Sequence, residues 1–238
     1  MKVLMVMTSH DQLGDTDRKT GLWLEEFAAP YYVFVDAGVE VVLASPHGGQ
    51  PPIDPSSEEV GALTEATTRF KNDQRAQELF ADTLRLSTVT SDYFDGIFYP
   101  GGHGPLWDLV DDQASHDLLE SFIFQGKVIA AVCHAPVVLL NLVNSYGKSF
   151  LENRHVTGFS NSEEALVGLT EIVPELLEDA IISKGGIYSK AKLDFASHVV
   201  VDGQLITGQN PASSGPAAKQ LVEMLKRTSV SALSSGAE

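Results

Sequence analysis

The sequence predicts an α/β fold: a mostly parallel, doubly wound sheet with helices on both faces. Three observations carry this. Short apolar, partly β-branched runs recur at residues 3–7, 39–44, 93–100 and 128–132, as strands buried on both faces require. A helical pattern joins the first run to the second, which is the rhythm of βαβ units. The first, third and fourth runs each end in a polar, glycine-rich or cysteine-bearing turn, at the carboxyl edge where such sheets place ligands.

The composition sets outer limits. A chain of 238 residues, 43% apolar and 20% charged, buries an ample core. A formal net charge of −16 argues against nucleic acid or an anionic membrane as partner. One cysteine excludes an internal disulfide and fits a reducing compartment. The amino-terminal run is too short for a signal-peptide core or a membrane span, so a cytoplasmic location is expected. No repeat or linker interrupts the chain. The expectation is one α/β domain over residues 1–228, an insertion of loop and helix at about 45–90, and a flexible tail at 229–238.

Taken in order, the strand at 3–7 ends in a polar loop over 8–20, and a helix follows with Thr20 as N-cap and Gly38 as stop. At helical spacing Leu22, Glu26, Ala29, Val33 and Ala37 share a stripe that is apolar except for Glu26. A carboxylate there is costly unless paired, hydrogen-bonded or protonated, so Glu26 is a functional candidate, with a loop-capping role as the alternative. Glu25, one position round, reads as the solvent-facing acid. The insertion is proline-rich, then helical over about 67–84. The strand at 93–100 runs into Gly101-Gly102-His103-Gly104, where consecutive glycines allow close backbone approach. No Gly-Lys-Ser/Thr follows, so a phosphate loop fits less well than a nest of N–H donors or an oxyanion hole. His103 either lines that pocket or supports the turn. An acidic helix over 108–125 precedes the strand at 128–132. Beyond it come a short strand at 155–160, a helix opening at Asn161 with Glu163 and Glu164 in its first turn, a hairpin turning at Asp202-Gly203, and a final helix over 216–227.

Cys133 falls where a buried strand turns into a helix carrying Pro136 in its first turn. That position sets the sulfur near unpaired N–H groups and a helix dipole, which lower a thiol pKa, although a small buried hydrophobe is the alternative. His134 follows directly, and a thiol beside an imidazole can generate a thiolate and shuttle its proton. A further residue must orient that histidine. CxxC, HExxH and HxH spacings are absent, so no metal is expected.

Together, Thr20-Gly21 with Glu26, Pro100-Gly-Gly-His-Gly104, Ala130-Ala-Val-Cys-His-Ala-Pro136, Val156-Thr-Gly-Phe159 and Thr207-Gly-Gln-Asn-Pro-Ala-Ser213 resemble the ThiJ/PfpI family of class I glutamine amidotransferase-like proteins. Within it the chain most resembles the cofactor-independent glyoxalase III enzymes, also described as chaperones and deglycases. The resemblance spans residues 20–213 and implies a flavodoxin-like sandwich with a nucleophile elbow. It implies Cys133 as nucleophile, His134 as its partner, Glu26 as the buried acid beside the thiol, and Glu164 as the acid orienting the histidine, with Glu163 competing. Gly101, Gly102 and His103 would form the oxyanion pocket. The implied substrates are methylglyoxal and glyoxal, the implied assembly a homodimer, and the implied class a lyase of the D-lactate dehydratase type. A holdase chaperone or cysteine redox sensor is the alternative, and a cysteine hydrolase or peptidase the third reading. A glutaminase of the same superfamily fits poorly, because it needs His-x-Glu where His198 is followed by Val199 and Val200.

Overall fold

A computed structural model gives the architecture, describing residues 1–235 and the side chains of 1–228. Among the described residues, nine strands and seven α-helices follow in chain order: β1 (Lys2–Val6), α1 (Leu24–Asp36), β2 (Glu40–Ser45), α2 (Glu65–Asn72), α3 (Gln74–Ala81), β3 (Leu84–Arg85), β4 (Gly96–Tyr99), α4 (Gln113–Phe124), β5 (Val128–Val132), β6 (His155–Val156), α5 (Asn161–Val167), α6 (Leu177–Ser183), β7 (Ile187–Tyr188), β8 (Val199–Asp202), β9 (Leu205–Gly208) and α7 (Ser214–Ser235). Seven strands form one sheet in the order β3-β2-β1-β4-β5-β9-β8, parallel throughout except for the β8–β9 hairpin. The strands β6 and β7 pair in parallel as a separate two-stranded sheet.

The pleat divides the core. On one side Val3, Met5, Phe98, Val128, Ala130, Val132 and Ile206 pack against α1, α2, α3 and α7. On the other Leu4, Val6, Ile97, Tyr99, Ile129, Ala131 and Leu205 meet α4 and α6. Successive side chains of a strand point to opposite faces, so covering both faces makes the apolar runs of β1, β4 and β5 obligatory. Strand order reverses between β1 and β4, the switch point outside which a doubly wound sheet opens a crevice. The turns after β1, β4 and β5 all emerge at that edge.

Several local expectations are corrected. Trp23, not Thr20, is the N-cap residue of α1, and the Thr20 hydroxyl instead donates to Asp54 Oδ2 at 2.9 Å. The insertion holds two helices, α2 and α3, rather than one, and its end supplies edge strand β3, so the βαβ rhythm continues through it. Glu25 is half-buried and accepts a hydrogen bond from Thr64 at the start of α2, instead of facing solvent. The residues after Cys133 form a five-residue 3₁₀ turn, Ala135–Leu139, rather than an α-helix. Helix α7 runs to Ser235, past the expected stop at 227. Of the expected flexible tail, residues 236–238 and the side chains of 229–235 lie outside the described residues.

Candidate active site

Cys133 leaves β5 with φ of +60°, a left-handed conformation that costs a non-glycine residue about 1–3 kcal/mol. Two backbone hydrogen bonds hold it there: its N–H donates to Gly208 O and its carbonyl accepts from Phe159 N, both at 2.8 Å. The sulfur is thereby lifted off the sheet edge toward the 101–104 turn and α1. Two glycines make that approach possible. A Cβ at Gly101 would lie 2.6 Å from Glu26 Oε2 and 2.7 Å from Cys133 Cβ. A Cβ at Gly102, whose φ is +92°, would lie 2.4 Å from Gly21 O.

Glu26 is fully buried, but the expected stripe is not the cause. Ala29, Val33 and Ala37 are only partly buried, and Glu26 is covered by the Gly101-Gly102 turn and Cys133. Its Oε2 accepts the Gly101 amide at 2.8 Å, while Oε1 has no nitrogen or oxygen partner and the carboxyl lies against the thiol. The oxyanion assignment therefore needs correction at Gly101, whose N–H is already engaged. The Gly102 N–H is the donor facing the sulfur.

His134 Nδ1 lies 3.3 Å from Cys133 Sγ, and its Nε2 lies 2.6 Å from Glu164 Oε2. A carboxylate only accepts, so Nε2 carries the proton and Nδ1 is the acceptor facing sulfur. The two acids of α5 separate cleanly. Glu163 closes a capping box with Ser160, accepting from its N–H at 3.0 Å and its hydroxyl at 2.9 Å. Its other oxygen takes the Phe195 N–H and Asn210 Nδ2, both at 2.8 Å. Glu164 alone reaches the histidines, with His103 Nε2 on Oε1 at 2.9 Å. The imidazole of His103 is thus engaged with Glu164. Phe159, assigned no role from sequence, packs against His134 with ring centroids 4.4 Å apart and planes tilted by 35°; its place in the Val156-Thr-Gly-Phe159 motif was the one signal.

Burial dominates the ionisation of this cluster. It raises the Glu26 pKa to about 8 against the opposing hydrogen bonds from the thiol and Gly101. Burial, then the approach of His103, lowers His134 to about 4. Burial also raises Glu164, but hydrogen bonds from His103 and His134 outweigh it and bring the group to about 2. Burial, reinforced by the Glu26 carboxylate, pushes the Cys133 thiol well up, opposite to the sequence expectation. A short 3₁₀ turn lacks the dipole of an α-helix, and the sulfur faces an acid rather than a cation. The resting pattern at neutral pH is a neutral thiol, a protonated Glu26, a neutral His134 and an ionised Glu164.

Donor atoms of His103, His134 and Glu164 lie within 4.8 Å of one another, a set that could hold a divalent transition metal. Each already hydrogen-bonds another member, so the trio is satisfied without an ion. Its members come from three separate segments, which is why no local spacing announced it.

The class is thus an α/β sheet carrying a strained cysteine elbow backed by histidine and glutamate. Residues 20–224 match the DJ-1/PfpI family, and the chain belongs to that family. The glutathione-independent glyoxalase HSP31 of Saccharomyces cerevisiae is 28% identical over 94% of this chain and 98% of its own length. Glyoxalase 3 of Candida albicans is 27% identical over 93% and 97%. Among solved structures, the Rapid Encystment Protein of Francisella tularensis superposes with a TM-score of 0.89 at 37% identity, covering 94% of this chain and 98% of that one. Glyoxalase III from Candida albicans superposes with a TM-score of 0.87 at 25% identity, covering 94% and 96%.

Proposed function

We propose that this protein is a glutathione-independent glyoxalase that converts methylglyoxal to D-lactate through a hemithioacetal on Cys133. The observation that supports it most is the line of hydrogen bonds from Cys133 Sγ through His134 to Glu164, with Glu26 on the other side of the sulfur. A proton acceptor and a protonated acid then flank one nucleophile.

The proton accounting closes with those groups alone. His134 Nδ1 takes the thiol proton as sulfur adds to the aldehyde carbon, and Glu26 gives its proton to the aldehyde oxygen. Glu164 stabilises the imidazolium formed, as the acid of a triad does. The Glu26 carboxylate next removes the hydrogen from that carbon while His134 protonates the neighbouring carbonyl oxygen, giving an enediol. Glu26 returns the proton to the second carbon and His134 takes one from the first hydroxyl, leaving a lactoyl thioester. Water attacks the thioester, losing a proton to Glu26, and His134 protonates the departing sulfur. Methylglyoxal and water have become lactic acid, and every side chain has its starting proton. Delivery by Glu26 from one fixed side sets the handedness. A carboxyl poised near neutral pH suits both directions of that transfer.

The same reading makes the enzyme a lyase of the D-lactate dehydratase type that also accepts glyoxal, a cytoplasmic homodimer with one domain over 1–228. No helix among the described residues is long and apolar enough to cross a membrane. The test is D-lactate formation from methylglyoxal by purified protein, without glutathione and after metal chelation. Turnover that vanishes in Cys133→Ala supports the reading and separates an enzyme from a holdase. No turnover by wild-type protein with a titratable thiol contradicts it.

A further inference from the structure

Glu164 offers each of its oxygens to a different histidine, yet the chemistry proposed above uses only one of them. Oε2 receives His134 Nε2 at 2.6 Å, and Oε1 receives His103 Nε2 at 2.9 Å. The His103 ring lies 4.1 Å from the His134 ring, tilted by 40°, and is itself 7% exposed. Phe159 packs beside both imidazoles, with its ring centroid 6.1 Å from that of His103, planes at 74°, and 4.4 Å from that of His134. His103 is therefore held by Glu164 and packed beside His134 and Phe159.

We infer that His103 is a positioning residue: its Nε2–H pins Oε1 of Glu164, so that Oε2 alone faces His134 and the Nδ1 of His134 is held on the Cys133 sulfur. The inference rests on the reading of Cys133, His134 and Glu164 as the reacting set. A carboxylate held at both oxygens cannot turn about its terminal bond without losing a hydrogen bond, and the two histidines are its side-chain donors among the described residues. The charged or titratable groups facing His134 are Glu164 and Glu163 from α5, His103 from the turn after β4 and Cys133 from its own elbow, with Glu26 of α1 set against the Cys133 sulfur. Of these His103 alone opposes a positive charge on His134. Removing its ring leaves His134 to the field of the acids.

The variants His103→Gln and His103→Ala divide the two effects. Glutamine keeps an N–H donor for Glu164 without the ring; alanine removes both. The first readout is the NMR titration of His134 Cε1–H in substrate-free enzyme, where the midpoint rises by about one pH unit in both variants. The second is kcat for methylglyoxal, which falls roughly 10- to 100-fold in His103→Ala with KM nearly constant and is largely restored in His103→Gln. A His134 midpoint unmoved in folded variants overturns the inference, as does a raised KM with kcat intact, which would make His103 a substrate-binding group. Should His103→Ala not fold, His103→Gln carries the titration alone. The titration needs no turnover: a shifted midpoint in a protein that makes no lactate removes the glyoxalase reading and leaves this one standing.

Discussion

Glu26 Oε2 accepts the amide hydrogen of Gly101 at 2.8 Å, across 75 residues of chain, and so ties helix α1 to the turn beneath Cys133. The contact fixes the one acid that lies against the sulfur. It also leaves no room for a side chain at Gly101, where a Cβ would stand 2.5 Å from Val132 O. The substitution Gly101→Ala is expected to cost about 3 kcal/mol or more, because backbone and a buried carboxylate must both shift. Urea unfolding measures it; a loss below about 0.5 kcal/mol would show that the turn is loosely packed.

The two adjacent acids of α5 have opposite expected phenotypes. In Glu164→Gln the fold stays and turnover drops roughly 100- to 10,000-fold, since His134 loses the charge that supports its protonated form. Glu163→Gln disturbs four hydrogen bonds and is expected to lower stability by about 1–3 kcal/mol. Thermal melts beside lactate assays separate the two; equal kinetic effects would put the roles in error.

Burial of Glu26 has a stability signature with a definite sign. Its pKa is 4.5 ordinarily and about 8 in the folded protein, so the folded state holds a proton that the unfolded chain releases. Stability from this group is complete below pH 4.5 and is lost as pH climbs toward 8. Glu26→Gln has no such proton, so the variant gains on the wild type by on the order of 3 kcal/mol between pH 4.5 and pH 7. Unfolding free energies of both proteins across that range test this. A gap that does not change with pH means that Glu26 is ionised in the fold.

Turnover follows the same groups. The productive pattern, with Glu26 protonated and His134 neutral, exists between about 4 and about 8. The profile of kcat/KM against pH is expected to be bell-shaped with limbs near those values. A rate that keeps climbing beyond pH 9 would contradict a protonated Glu26 as the resting acid.

Much of this was legible in the sequence, for reasons that can be named. β1, β4 and β5 are covered on both faces, which forces unbroken apolar runs, and Cys133-His134 directly follows one of them. Glu26 stood out as a charge among apolar neighbours, though its burial comes from the Gly101 turn, a contact that no local pattern displays. Glu164 was invisible to local reasoning: an acid in the first turn of a helix is satisfied by the dipole, and only the family motif singled it out. The thiol's ionisation was read in the wrong direction because length separates an α-helix from a 3₁₀ turn, and apolar pattern alone does not report it.

The strain at Cys133 has its own test. Glycine tolerates φ of +60° and alanine does not, so Cys133→Gly is expected to be more stable than Cys133→Ala by about 1 kcal/mol after allowance for unfolded-chain entropy. Paired denaturant titrations decide it, and equal stabilities would mean that the elbow relaxes when the thiol is gone.

The central claim is that Cys133 carries the aldehyde while Glu26 moves its proton. Peptide-mapped mass spectrometry of Glu26→Gln mixed with methylglyoxal addresses it most directly. An adduct on Cys133 with the mass of one methylglyoxal is expected, persisting in the variant and cleared by the wild type as D-lactate appears. A variant that turns over like the wild type, or one whose Cys133 stays unmodified, would contradict it.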